Sequence, residues 1–276
     1  MHAIAALNAA ASRIGGDTAR LDAEVLLAHL LGISRGALLL HPDRRIDVQA
    51  YDLLVERRAK GEPVAHITGS REFWSLDLKV TPDVLIPRPD SETLIDVALR
   101  LCQPAPTRIL DLGTGSGALL LAALSEWPDA SGLGIDASPA ALAVASENAF
   151  RTGLADRARF MPGNWGQGLD QRFDLIISNP PYIAETETLS AEVRENEPAS
   201  ALFAGADGLD DYRRILPQLA DLMQPGALAL LEIGHSQGPA LLDLAAQHGF
   251  SASLHPDLAG RDRCVALRVA PLQPPA

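Results

Sequence analysis

The stretch ILDLGTGSGALLLAA, residues 109–123, decides the fold. Ile109, Leu110 and Leu112 form a short apolar run of the kind that fills the middle of a parallel sheet. The run ends at Gly113, Gly115 and Gly117, which lack Cβ atoms and so permit a tight turn and close approach by a ligand. Alanine and leucine then follow without a β-branched residue, which is helix-forming composition. Strand, glycine turn and helix together open an α/β unit, whose ligands sit beyond the strand C-termini at a topological switch point.

Outward from this unit the pattern repeats. TRILDLG, ASGLGIDAS, ARFMPGN, FDLIISN and GALALLEIG read as strands, and SETLIDVALRLC, GALLLAALSEW and SPAALAVASENAFRTG as helices around them. Alternation of strand and helix predicts a Rossmann-like α/β fold with a mostly parallel sheet. A last helix, GPALLDLAAQHGF, precedes SASLHP and CVALRVA, which are close enough to pair as a C-terminal antiparallel hairpin at the sheet edge.

The first 60 or so residues read as helical. Leu27, Leu30 and Leu31 share one face before Gly32, and Tyr51, Leu54 and Val55 share another before Gly61. This segment carries no catalytic cluster; it is a small helical bundle or a docking module for a partner. VAHITGSREFW and LDLKV are strand-like, and TPDVLIPRPDSE, rich in proline, is a stiff connector or hairpin. The expected domains are a helical one over 1–75, a connector over 76–90 and the α/β domain over 91–276.

With 276 residues, 47% of them apolar and 21% charged, the composition is that of a globular protein. No apolar run approaches the roughly 20 residues of a membrane span, so no membrane association is expected. The N-terminus MHAIAALNAAASRIGG lacks the basic start and compact apolar core of a signal peptide. Cys102 and Cys264 match no metal-ligand spacing and are expected as free, buried thiols in a reducing cytoplasm. The formal charge is −12, and of 23 basic residues only Lys60 and Lys79 are lysines. Direct nucleic-acid binding usually needs a broad basic surface, so a protein or small-molecule substrate is expected instead.

Gly113, Thr114, Gly115, Ser116 and Gly117 would cradle a cofactor, and Asp136, after the second strand, would accept from a ribose hydroxyl pair. Gly113-x-Gly115-x-x-Ala118 also satisfies the dinucleotide fingerprint. The neighbour that discriminates is Asp111. Beside a pyrophosphate its carboxylate would repel; beside the cationic amino end of S-adenosyl-L-methionine it would attract, directly or through water. The reading is therefore S-adenosylmethionine. In MPGNWGQG, Asn164 can bond an adenine edge and Trp165 can cover its face.

FDLIISNPPYIAE, residues 173–185, ends a buried strand in a rigid turn that has discarded two backbone N–H donors. An amide or exocyclic amino nitrogen is a poor nucleophile because its lone pair is delocalised. The Asn179 side-chain carbonyl and the Pro180 backbone carbonyl can take its two N–H bonds and aim it at the cofactor. They also stabilise the positive charge that develops on methylation. Pro181 stiffens the turn, and Tyr182 can stack on the planar group.

Here the chain resembles the peptide chain release factor N5-glutamine methyltransferases, the HemK/PrmC family, along nearly its whole length. The resemblance rests on EPVAHITGSREFW, VLIPRPDSE, ILDLGTGSGAL, LIISNPPYI, EPASALFAGADGLDDYRRI, LEIGHSQG and DLAGRDRCVAL. It implies a class I S-adenosylmethionine-dependent methyltransferase domain behind the helical domain, acting as a cytoplasmic monomer. It also implies methylation of the glutamine amide in the Gly-Gly-Gln motif of class 1 release factors. By motif, Gly113–Gly117, Asp136, Trp165 and Asn179 would contact the cofactor region, and Asn179, Pro180, Pro181 and Tyr182 the glutamine. Two positions depart from the family: Asp90-Ser91-Glu92 replaces Glu-Thr-Glu, and Asn164 replaces an aspartate.

Two other functions stay open from sequence. One is a DNA or RNA amino-methyltransferase, since Asn-Pro-Pro-Tyr serves those enzymes too. The other is a catalytically silent scaffold. His66 and His235 read as structural, Arg71, Glu72 and Arg88 as cleft-shaping, and LSAEVRENEPAS as a lid or a solvated helix face.

Overall fold

The computed structural model describes residues 2–41 and 44–270, which divide into two compact units. The first comprises the chain up to Ser70 together with Leu189–Asn196. The second comprises Arg71–Thr188 and everything described from Glu197 onward.

In the first unit, α1 (Ala3–Ile14), α2 (Ala19–Leu31), α3 (Arg35–Leu40), α4 (Val48–Ala59) and α5 (Val64–Thr68) close on a core of Leu7, Leu26, Leu27, Tyr51 and Val55. Gly32 ends α2 in the left-handed conformation, and the Asp47 carboxylate accepts from Gln49 and Ala50 N–H to start α4. The Tyr51 hydroxyl donates to the Ala23 carbonyl at 2.8 Å, so the largest core side chain is also hydrogen-bonded. One expectation fails here. VAHIT, strand-like by its β-branched residues, is the helix α5, bracketed by Pro63 as N-cap and by left-handed Gly69 as C-cap. Terminal signals and packing of Ile67 into the core outweigh a weak strand preference.

The second unit opens with a two-stranded hairpin, β1 (Ser70–Phe73) and β2 (Leu76–Lys79), turned by left-handed Trp74 and Ser75. The proline-rich connector follows, ending in a 3-10 turn over Pro89–Ser91 and then α6 (Glu92–Leu101). Next come β3 (Arg108–Leu112), α7 (Ala118–Glu126), β4 (Ser131–Asp136), α8 (Pro139–Arg151), β5 (Ala158–Pro162) and β6 (Phe173–Ser178). After β6 the chain enters the first unit as α9 (Ala191–Asn196), then returns for α10 (Asp210–Leu222), β7 (Met223–Glu232), α11 (Gly238–Gln247), β8 (Phe250–Pro256) and β9 (Asp262–Val269).

The large sheet has the order β5-β4-β3-β6-β7-β9-β8, parallel except where β9 pairs antiparallel with β7 and with β8. This is the class I methyltransferase architecture, with the C-terminal hairpin at one edge. Side chains alternate between its two faces with period two. Ile109, Leu175, Ile177, Leu228 and Leu230 face the core shared with α6 and α7. Leu110, Leu112, Ile176, Ala229 and Leu231 face the core shared with α10 and α11. Helix α7 is buried all round, as its uniformly apolar sequence requires. From β3 the chain moves outward through β4 to β5, then crosses back to β6 on the other side of β3. The loops after β3 and β6 therefore part at the switch point, and register sets Leu112 opposite Ser178 there.

Both cysteines are free thiols; Cys264 is buried, whereas Cys102 is half-buried. Among the described residues no helix is long and apolar enough to cross a membrane. No cluster of three or more His, Cys, Asp or Glu able to hold a metal occurs among them either.

Candidate active site

A cavity of about 420 Å³ opens at the switch point, within the second unit. Its floor is the glycine loop. Gly113 and Thr114 N–H both donate to the Ile135 carbonyl, and Gly117 N–H to the Thr114 carbonyl, which ties the loop to the end of β4. Gly113 has φ +72° and lies under the Trp165 ring, where an added Cβ would come within 3.0 Å. Gly117, at φ +81°, is the N-cap of α7 and packs against Ala145 of α8. A side chain fits at neither position.

Asp136 caps the loop from the next strand. Its Oδ2 accepts from Gly115 N–H and its Oδ1 from Ser138 N–H, both at 2.8 Å. It lines the cavity, and each oxygen keeps a second lone pair for a ligand. Asp111 sits differently from its expected place at the mouth of the loop. It is 1% exposed, does not line the cavity, and reaches it only through Thr114, whose hydroxyl donates to Oδ2 at 2.6 Å. Burial pushes its carboxyl up to about 7, opposed chiefly by that hydrogen bond.

Asn164 and Trp165 line the cavity wall after β5. Asn164 is exposed and makes only a long contact from Nδ2 to Gln167 Oε1, at 3.5 Å. Trp165 adopts φ +56°, uncommon for a non-glycine residue and here imposed by packing its ring over Gly113. Asp211 of α10 is another wall residue, its carboxyl paired with Arg214 at 3.1 Å.

Asn179, at the end of β6, points into the same cavity together with Pro181. Pro180 and Tyr182, expected at the site, are not among the residues that line it. The Tyr182 hydroxyl is 3.5 Å from Glu232 Oε1 and is pushed up to about 12 by burial and by that carboxyl. Gln237 Nε2 donates to the Tyr182 carbonyl at 2.9 Å and to the Gly208 carbonyl at 3.1 Å, while its Oε1 accepts from Gly234 N–H. The last residue of the turn is thus held from behind.

Sequence reasoning gave no role to several wall residues and read Arg88 only as cleft-shaping. Phe73, Leu85, Arg88, Ser91 and Phe203 line the cavity, supplied by the hairpin, the connector and the segment before α10. Arg88 is held by buried Glu197, which also accepts from Ile86 N–H. The three connector prolines were the visible signal that this segment is built for rigidity.

The fit to S-adenosylmethionine rests on three features of the cavity. A Cβ at Gly115 would enter open space, so the backbone is accessible there. Asp136 offers ribose acceptors from the adjacent strand. Trp165, on the cavity wall over Gly113, offers an aromatic face for an adenine ring.

Comparison with known proteins agrees with this geometry. A family model described as the PrmC N-terminal domain matches residues 2–69, and one described as the methyltransferase small domain matches 91–200. The release factor glutamine methyltransferase of Rhodospirillum rubrum is 43% identical over 94% of this chain and 83% of its own length. That of Cereibacter sphaeroides is 44% identical over 98% and 99%. Among solved structures, a methyltransferase from Pyrococcus furiosus superimposes with a TM-score of 0.54 at 16% identity, covering 70% of this chain and 87% of that one. A ribosomal protein L11 methylase from Lactobacillus delbrueckii subsp. bulgaricus does so with a TM-score of 0.51 at 22% identity, covering 66% and 80%. At those identities the structural likeness speaks for the fold alone.

Proposed function

We propose a function from one premise: the chain belongs to the release factor glutamine methyltransferase family. It is an S-adenosylmethionine-dependent protein-glutamine N-methyltransferase whose substrate is a release factor. We further infer that the methylated residue is the glutamine of the Gly-Gly-Gln motif of class 1 factors, in the cytoplasm. The observation that carries the site assignment is that Asn179 and the glycine loop face one cavity from the two strands flanking the switch point.

Bound S-adenosylmethionine supplies a methyl group on a positively charged sulfur. The protein's own part is to present the amide. Asn179 Oδ1 and the Pro180 carbonyl accept the two N–H bonds of the glutamine side chain, which fixes its nitrogen and favours the charge that grows there. Tyr182 backs the turn, held through its carbonyl by Gln237. No strong base is required, since an N-methylated amide cation sheds its proton to water readily. Asp136 and the loop hold the cofactor, and Trp165 and Asn164 flank it. The helical unit supplies the release-factor docking face, since a flexible glycine-rich tip offers little of its own to recognise; two contacts then raise each other's effective concentration.

The test is methyl transfer from labelled cofactor by the full-length chain into intact release factor, into the isolated tip peptide, and into DNA or ribosomal RNA. Efficient transfer is expected only into the intact factor. Equal rates on the free peptide would refute two-point recognition, and label in nucleic acid would refute the protein substrate.

A further inference from the structure

The Asn179–Tyr182 turn has little means of holding itself. Pro180 and Pro181 carry no N–H, so the middle of the turn offers no backbone donor to its surroundings. Its direction has to be set at the two ends. At the entry the Ser178 hydroxyl, closing β6, donates to the Leu112 carbonyl of β3 at 2.6 Å. At the exit the Tyr182 carbonyl accepts from Gln237 Nε2 at 2.9 Å. Just beyond, Ile183 N–H donates to the Leu202 carbonyl and Ala204 N–H to the Ile183 carbonyl, which holds the chain after the turn independently.

Gln237 reaches the turn from the start of α11. It is the N-cap of that helix, placed by a tight turn in which its own N–H donates to the Gly234 carbonyl at 2.9 Å. Its carboxamide has one satisfied orientation. The two Nε2 protons go to the Tyr182 and Gly208 carbonyls, and Oε1 accepts from Gly234 N–H at 2.9 Å. Turned over, the oxygen would face two carbonyls and the nitrogen an N–H donor. Two glycines make room for this grip. A Cβ on Gly208, at φ +74°, would collide with the Tyr182 carbonyl oxygen. One on Gly234 would lie 3.0 Å from Gln237 Oε1 and 3.4 Å from the Tyr182 ring.

We propose that Gln237 is a positioning residue of the amide clamp: by holding the Tyr182 carbonyl it fixes the exit of the turn, and with it the direction of the Pro180 carbonyl and the place of Asn179. The inference rests on Asn179 and Pro180 serving as that clamp. Gln237 does not line the cavity, so it acts through the turn and touches neither cofactor nor substrate. Pro181 makes the transmission stiff. Its ring locks φ between the two carbonyls, so a displacement at Tyr182 is passed on to Pro180 instead of being absorbed.

The experiment compares the full-length protein with its Gln237→Met and Gln237→Glu variants. Methionine keeps the length of the side chain and removes its hydrogen bonds. Glutamate keeps the shape but has at most one proton for two carbonyls. The expected result is a kcat for methyl transfer into release factor about 10-fold lower in Gln237→Met and about 10²-fold lower in Gln237→Glu. KM for release factor and calorimetric affinity for S-adenosylmethionine should stay within about 2-fold of wild type. A side chain that merely filled space would leave the glutamate variant at full speed. In the protein without substrate, NMR relaxation should show the Asn179 and Tyr182 backbone amides of Gln237→Met loosening from an order parameter of ~0.85 toward ~0.6, while Gly113 to Gly117 stay rigid. Wild-type kcat in either variant, a turn that stays rigid in Gln237→Met, or a fall in kcat matched by an equal loss of cofactor affinity overturns the proposal. A loosened turn in a protein whose wild type transfers no methyl group to release factor would instead refute the substrate assignment and leave the anchor standing.

Discussion

Asn179 and Ser91 are 88 positions apart in the chain, yet the carboxamide of one donates to the hydroxyl of the other at 3.2 Å. The contact joins the end of a central strand to the end of the proline-rich connector. It brings the connector to the candidate site. Rigidity in the connector therefore bears on the proposed clamp, since a loosely held Ser91 would give Asn179 no fixed partner.

Asn179→Ala is expected to lower turnover on the order of 10²-fold or more while the fold and most of the cofactor affinity survive. Single-turnover methyl transfer and calorimetric titration with S-adenosylmethionine measure the two separately. A variant that transfers at wild-type speed would remove the clamp from the mechanism.

Asp136→Ala should weaken cofactor binding by roughly 1–3 kcal/mol. The loss has two parts, since Asp136 both faces the cavity and holds the Gly115 and Ser138 N–H groups. Calorimetry on the purified variant checks it, and an unchanged affinity would reopen the cofactor assignment.

Gly117→Ala should destabilise the second unit even without ligand. The residue sits at φ +81°, and its new Cβ would lie 3.2 Å from the Ala145 Cβ. Left-handed strain and overpacking together come to about 2–4 kcal/mol. Thermal unfolding would register this as a fall of roughly 5–10 °C; an unmoved midpoint would mean that the loop relaxes freely.

The pH dependence of stability carries a definite sign. Asp111 and Glu232 both have folded values near 7, raised by burial from ordinary values of 3.8 and 4.5. Between those limits the native state holds protons that the unfolded chain has released. Stability of the ligand-free protein therefore falls as pH rises through that window, by up to roughly 1.4 kcal/mol per pH unit for each group. Asp111→Asn should flatten the slope and stabilise the protein at pH 8. Urea titrations at pH 5 and pH 8 test this, and a steeper slope in the variant would contradict it.

The sheet and its flanking helices were legible because buried strands such as Phe173–Ser178 are mostly apolar runs and helices such as α7 and α8 open at a glycine or at a serine cap with proline behind it. Helix α10 was harder to see. Tyr212, Ile215, Leu216 and Leu219 keep helical spacing, but Pro217 and the charges of Asp210–Arg214 interrupt the pattern. The cavity-facing glycines, Asp136 and Asn179 could be found because each is adjacent in sequence to the strand that positions it. Ser91 and Gln237 could not, since only the folded chain brings the connector and the start of α11 to one turn. Asp111 shows the opposite failure: its neighbours in sequence place it at the loop, and the inward direction of its side chain removes it from the cavity wall.

Helix α9 has a consequence for synthesis. It belongs with the first unit, where Arg58 bonds both Asp22 of α2 and Glu192, and Asn196 reaches the Gly61 carbonyl. A chain made from its N-terminus thus completes the first five helices early but cannot seat α9 until residue 196 has emerged from the ribosome. By then β3 to β6 have been translated in between. Until that moment Arg58, 13% exposed in the finished structure, lacks one of its two carboxylate partners. The first unit is begun first yet waits for a helix translated after four strands of the second, and a fragment cut near residue 80 would separate α9 from the surface that holds it.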